Sequence, residues 1–161
     1  MVNLIKNYLK NPDEIIDLAE KEADKFSVRA PGQRYNFNTQ YGDSSLKSLF
    51  VFNMSEQLKS AVLKTLSPED RTAEGITINR YDPGDFLKRH VDAQGQYWKF
   101  KLIFLRSDMP HVVWYDSNNA PHVVEEEPGS YLEMPINLPH EVTQIGLNER
   151  PKYSLVLTWG I

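Results

Sequence analysis

The feature that most limits what this chain can fold into is a change of hydrophobic period at Gly75. Before it, apolar residues recur at helical spacing in two stretches; beyond it, they alternate with period two. Eight segments carry the alternation: 76–81, 86–92, 97–105, 111–115, 121–125, 130–134, 140–145 and 152–159. Turn-forming residues separate them, among them Asp82-Pro83-Gly84, Ser107-Asp108, Ser117-Asn118-Asn119, Pro128-Gly129 and Gly146. Short strands in this number and at this spacing predict a sandwich or barrel, and the jelly roll is the eight-stranded member of that set. The expected fold is therefore mainly β, with two supporting helices ahead of the strands. No internal repeat, linker or low-complexity tract is present, so residues 1–161 are expected to form a single domain, with 1–74 supporting a core at 75–161.

Residues 2–9 alternate loosely and predict a short strand. Asn11, Pro12, Asp13 and Glu14 then read as a helix start, with proline at the first position and acidic residues where the helix dipole favours them. Ile15, Leu18, Ala19, Ala23 and Phe26 continue at helical spacing, which predicts a helix over 12–26. A second helix is expected over 54–66, with Asn53 and Glu56 placed like a capping box and Leu58, Ala61, Val62 and Leu66 as its buried stripe. Between them, residues 27–45 carry Pro31-Gly32, Asn36, Asn38 and Tyr41-Gly42 and read as a loop, either a passive connector or a lid that contacts substrate.

Composition excludes several chemistries. With no cysteine, the chain has no disulfide framework, thiolate zinc site, iron–sulfur cluster or cysteine nucleophile. A formal net charge of −4 without a basic stripe argues against a general nucleic-acid binder, although Lys88, Arg89, Lys99, Lys101 and Arg106 can attract a small anion locally. No apolar run has the length of about 20 residues needed to span a bilayer, and the N-terminus lacks a signal-peptide core. A soluble, cytoplasmic protein is expected.

Chemistry concentrates in 76–92, ITINRYDPGDFLKRHVD. His90 and Asp92 are two residues apart, so on an extended strand both leave the same face. An imidazole and a carboxylate so placed can share one ion at about 2.0–2.2 Å and leave its far side open. The same pattern also describes an ordinary His–Asp pair. A third ligand would have to come from His111, His122 or His140; each follows a proline and opens an expected strand or nearly so, and spacing alone does not choose among them.

Tyr81-Asp82-Pro83-Gly84 followed by Arg89-His90-Val91-Asp92 resembles the opening of an Fe(II)- and 2-oxoglutarate-dependent oxygenase of the prolyl-hydroxylase type. The resemblance continues through Glu127-Pro128-Gly129-Ser130-Tyr131-Leu132-Glu133-Met134-Pro135 to Pro139-His140-Glu141-Val142, whose histidine stands 48 residues beyond Asp92. It ends at Lys152-Tyr153-Ser154, a basic residue and a hydroxyl residue on the last strand. These motifs cover 76–161 in the family's order; the N-terminal half matches only in outline. The resemblance implies a double-stranded β-helix, the cupin-like form of the jelly roll, with Fe(II) held by His90, Asp92 and His140. Two histidines and a carboxylate with open positions are also the geometry of non-heme Fe(II) oxygenases. It further implies 2-oxoglutarate as cosubstrate and O₂ as oxidant, with succinate and CO₂ released as a substrate C–H is hydroxylated.

The far carboxylate of 2-oxoglutarate then needs a cation, and the chain offers two. Arg150 can grip a carboxylate through two parallel hydrogen bonds, but it precedes Pro151 in a loop-like segment. Lys152 begins the regular alternation that runs through Ser154, Val156 and Thr158 and is the expected partner. Tyr81 can add its hydroxyl. His111 and His122 are expected to be structural or solvent-facing, and Lys99 and Lys101 solvated or at the pocket rim. The substrate is expected to be a protein side chain such as proline or a small amino-acid-like molecule. Two rival readings use the same residues: a jelly-roll module that binds a ligand without turnover, and a zinc-dependent hydrolase, which leaves Lys152 and Ser154 without a purpose.

Overall fold

The computed structural model describes residues 2–28, 45–92 and 97–160. Its strands are β1 (Asn3–Ile5), β2 (Ser27–Val28), β3 (Lys47–Phe50), β4 (Gly75–Tyr81), β5 (Leu87–His90), β6 (Tyr97–Arg106), β7 (Val112–Tyr115), β8 (Pro121–Val123), β9 (Tyr131–Glu133), β10 (His140–Val142) and β11 (Lys152–Gly160). Two helices, α1 (Pro12–Glu20) and α2 (Glu56–Thr65), precede β4. All pairings are antiparallel and fall into two sheets, one ordered β1-β9-β6-β11-β4-β3-β2 and the other β5-β10-β7-β8. This is a jelly roll: every segment expected to form a strand after Gly75 contributes one.

The larger sheet is buried on both faces, and its alternation sorts residues between two cores. Ile76, Ile78, Ile103, Leu105, Leu155 and Leu157 face the helices and pack with Ile15, Ile16, Ala19, Leu58, Ala61 and Val62. On the other face, Tyr81, Phe100, Phe104 and Leu132 meet Val112, Val142 and Ile145 of the smaller-sheet side. Hydrophobic burial of this kind contributes about 25 cal/mol per Å² of apolar surface, so two cores rather than one brace the sheet that carries the site.

The β4–β5 turn follows its residues. Asp85 N–H donates to Asp82 O at 2.8 Å, and Gly84 adopts φ +92°, which only glycine adopts without strain.

The N-terminal half departs from expectation in several places. α1 stops at Glu20; Ala23 and Lys25 lie in a separate short turn with Ala23 exposed, and the buried residues flanking it are Glu22 and, as expected, Phe26. Asn11 occupies the N-cap position, but its side-chain amide donates to Glu14 Oε1 at 2.7 Å instead of accepting from the helix. Ser55, not Asn53, caps α2, with its hydroxyl accepting from Leu58 N at 3.2 Å. The ends of the expected 27–45 loop are structured, since Ser27–Val28 pairs with β3 and Ser45 bridges Phe86. The lid reading itself falls on 29–44, outside the described residues. Lys47–Phe50 forms a strand that the period-two pattern did not mark, because it is short and followed at once by a turn.

Candidate metal centre

The smaller sheet positions the histidines. β5 and β10 pair so that His140 lies directly opposite His90, with ring centroids 4.4 Å apart. Asp92 lies just past the end of β5, where its backbone N–H donates to Ile136 O at 3.2 Å. Its carboxylate falls between the rings: Oδ1 is 3.8 Å from His90 Nε2, and Oδ2 is 3.7 Å from His140 Nε2. The ligand atoms of the three residues all lie within 4.8 Å of one another. Two ligands each about 2.1 Å from one ion can be at most about 4.2 Å apart, so these spacings suit a shared metal with little adjustment.

The tautomers suit it as well. His90 Nδ1 is 2.6 Å from Lys88 O and His140 Nδ1 is 2.8 Å from Leu138 O. A carbonyl accepts only, so each Nδ1 carries the proton and each Nε2 presents a lone pair to the centre. Burial, aided by the neighbouring His140, lowers the His90 pKa to about 3, against the lesser pull of Lys88 O. The imidazole is therefore neutral at physiological pH, which is the ligating form.

Between the sheets lies a cavity of about 440 Å³ that reaches all three of these residues. Its volume is in the range of small-molecule sites. Thr77, Asn79 and Tyr81 of β4 and Lys152, Ser154 and Val156 of β11 line one wall. Phe52, which is 76% exposed, and Glu74 border its open side. Lys152 is 2% exposed and opposite Tyr81 in the β4–β11 ladder. Burial lowers its pKa, and the adjacent Glu126 opposes that shift.

Arg150 lies elsewhere. Its exposed guanidinium holds Asp108 through Nε at 3.0 Å and Nη2 at 2.7 Å, and its backbone N–H donates to the same carboxylate. The fork that could grip a ligand is thus engaged at the surface, as its loop position before Pro151 implies.

The remaining singled-out residues disperse. His111 is buried with Nδ1 at 2.8 Å from Thr143 Oγ1 and Nε2 at 2.8 Å from Glu149 Oε1. His122 stacks on Trp114 at 4.0 Å and contacts Asp116 at 2.8 Å. Lys101 corrects the expectation of a solvated lysine: it is buried on the helix side of the sheet, 2.9 Å from Asp70, which is itself fully buried. Glu126 escaped sequence reading altogether. It lies in an acidic run, Glu125-Glu126-Glu127, that looks solvated; the signal was its place two residues beyond buried Val124, which carries it inward.

Among solved structures, the fold is similar to those of several oxygenases. One similar structure is a Pseudomonas putida prolyl-4-hydroxylase, at 16% identity and TM-score 0.68, over 99% of this chain and 92% of that one. Another is a Trichoplax adhaerens prolyl hydroxylase in complex with a hypoxia inducible factor oxygen degradation domain peptide fragment, at 14% identity and TM-score 0.73, over 99% and 83%. A third is an oxidoreductase of the 2OG-Fe(II) oxygenase family from Burkholderia pseudomallei, at 14% and 0.59, over 98% and 84%. No family model and no curated protein sequence matches the chain. At these identities the likeness establishes the fold, and the chemistry has to be argued from the site.

Proposed function

We propose that this chain is an Fe(II)- and 2-oxoglutarate-dependent dioxygenase that hydroxylates a C–H bond. The observation that carries the reading is the convergence of His90, Asp92 and His140 on the same cavity as buried Lys152 and Ser154. In this reading Nε2 of each histidine and the Asp92 carboxylate hold Fe(II). When bound, iron with 2-oxoglutarate and O₂ supplies the oxidation, releasing succinate and CO₂ as the substrate gains a hydroxyl. The protein's own part is to orient and to insulate. Lys152, Ser154 and Tyr81 receive the far end of the cosubstrate, and Arg150 has no part in it. Residues 75–161 form the catalytic core and 1–74 its support.

The substrate is a peptide side chain or a small amino-acid-like molecule. The peptide complex of the Trichoplax adhaerens hydroxylase supports the first, and proline is its leading case. The test is anaerobic reconstitution with Fe(II), followed by 2-oxoglutarate and air across panels of peptides and amino acids, with succinate as the readout. Oxygen-dependent succinate that His140→Ala and Asp92→Ala abolish, with unchanged circular dichroism, meets the proposal. Binding of 2-oxoglutarate without succinate on any panel member would favour a non-catalytic module, and hydrolysis supported by Zn(II) alone would favour the hydrolase.

A further inference from the structure

Lys152 has a counter-ion before any ligand arrives. Its ammonium donates to Glu126 Oε1, and the two side chains are only 2% and 1% exposed. Glu126 does not depend on the lysine for its place. Its other oxygen accepts from the backbone N–H of His111 and from that of Val112 at 2.9 Å, where the chain enters β7. A carboxylate fixed by two main-chain donors is held in place by the fold behind the lysine and is not a passing partner.

We infer that Glu126 determines cosubstrate specificity by neutralising Lys152, so that the far end of the 2-oxo acid is recognised as a hydrogen-bond acceptor and not as an anion. The inference rests on the oxygenase reading above. A primary ammonium has three N–H groups. One is taken by Glu126, which leaves two for a ligand in the cavity. A second carboxylate there would share one ammonium with Glu126 in a desolvated space, where like charges repel strongly. A neutral carbonyl could use the same two N–H groups with no such repulsion. The pocket should therefore discriminate little between 2-oxoglutarate and 2-oxoglutaramate, the same oxo acid with its far carboxylate as a primary amide. Replacing Glu126 with glutamine leaves a buried ammonium without its counter-ion, and a dicarboxylate then supplies the missing charge.

The test is calorimetric titration of the full chain, loaded with Mn(II) under argon so that nothing turns over. The native protein should bind the two oxo acids within about tenfold of each other, and Glu126→Gln should shift their ratio toward 2-oxoglutarate by about tenfold or more. A native preference for the dicarboxylate beyond about tenfold overturns the inference while leaving the oxygenase reading intact. So does a glutamine variant that weakens both ligands equally, since that is what a merely structural Glu126 would do. Should the variant lose its circular dichroism signal, the native ratio alone decides. If the native protein binds neither oxo acid, the oxygenase reading fails and this inference falls with it.

Discussion

Every deeply buried charge singled out here has its counter-charge in contact. Asp70 accepts from Lys101 at 2.9 Å and from the Tyr8 hydroxyl, which ties the N-terminal segment to the far face of the larger sheet. Asp70→Ala would strand a buried ammonium, and a loss of about 3–5 kcal/mol in chemical denaturation is expected. At the other pair, Lys152→Met should raise the 2-oxoglutarate requirement sharply in the succinate assay, whereas Arg150→Met should leave it nearly unchanged. The reverse ranking would move the role to Arg150. Lys152 was legible because it opens a long alternating strand that must face inward. Lys101 was not, since its partner stands on a turn 31 residues away and periodicity carries no information about partners.

At the scale of elements, one serine and one acid tie the start of α2 to the segment after α1. Ser55 caps α2 and also donates its backbone N–H to Glu22 Oε1 at 2.8 Å. Although burial works against ionisation of Glu22, its hydrogen bonds from Ser55 and Lys25 prevail and hold its carboxyl below the usual range. Ser55→Ala should cost about 1 kcal/mol for the cap, read from the urea midpoint. The Pro128-Gly129 turn is stricter. Gly129 has φ +84°, its carbonyl accepts from Tyr8 N and Leu9 N, and an added Cβ would lie 2.7 Å from Leu9 O. Gly129→Ala should therefore destabilise more than the Ser55 change. Helix existence and the buried stripe of α2 could be read from residue spacing. The exact caps could not, because Asn53 and Ser55 are both good cap residues and tertiary contacts chose between them.

For the whole molecule, the metal-free protein should respond to acid through His90. Its imidazole stays neutral in the folded state down to about 3 but protonates near 6.5 once unfolded. Between those values the unfolded state binds the extra proton, so the His90 contribution to stability should fall as pH drops through this window and be constant above it. Urea midpoints between pH 7.5 and 4 check this, and His90→Gln should flatten the slope. The jelly roll and the two histidines that converge with Asp92 were visible in the pattern and motifs. The counter-ion of the cavity's lysine was not, because Lys152 and Glu126 meet where β11 passes the segment after β8, a juxtaposition that only the closed fold creates.

The position of β11 at the centre of the larger sheet also has a kinetic side. β4 and β6 do not pair with each other; β11 lies between them and begins 71 positions after Tyr81 at residue 152. Contacts between such distant segments form only after a long stretch of chain has been ordered, which places refolding at roughly milliseconds to seconds. Lys152 and Tyr81 occupy one end of that same ladder. Closing the sheet and seating the lysine are thus one event, and a refolding time course followed by circular dichroism and by recovery of oxo-acid binding should show a single shared rate.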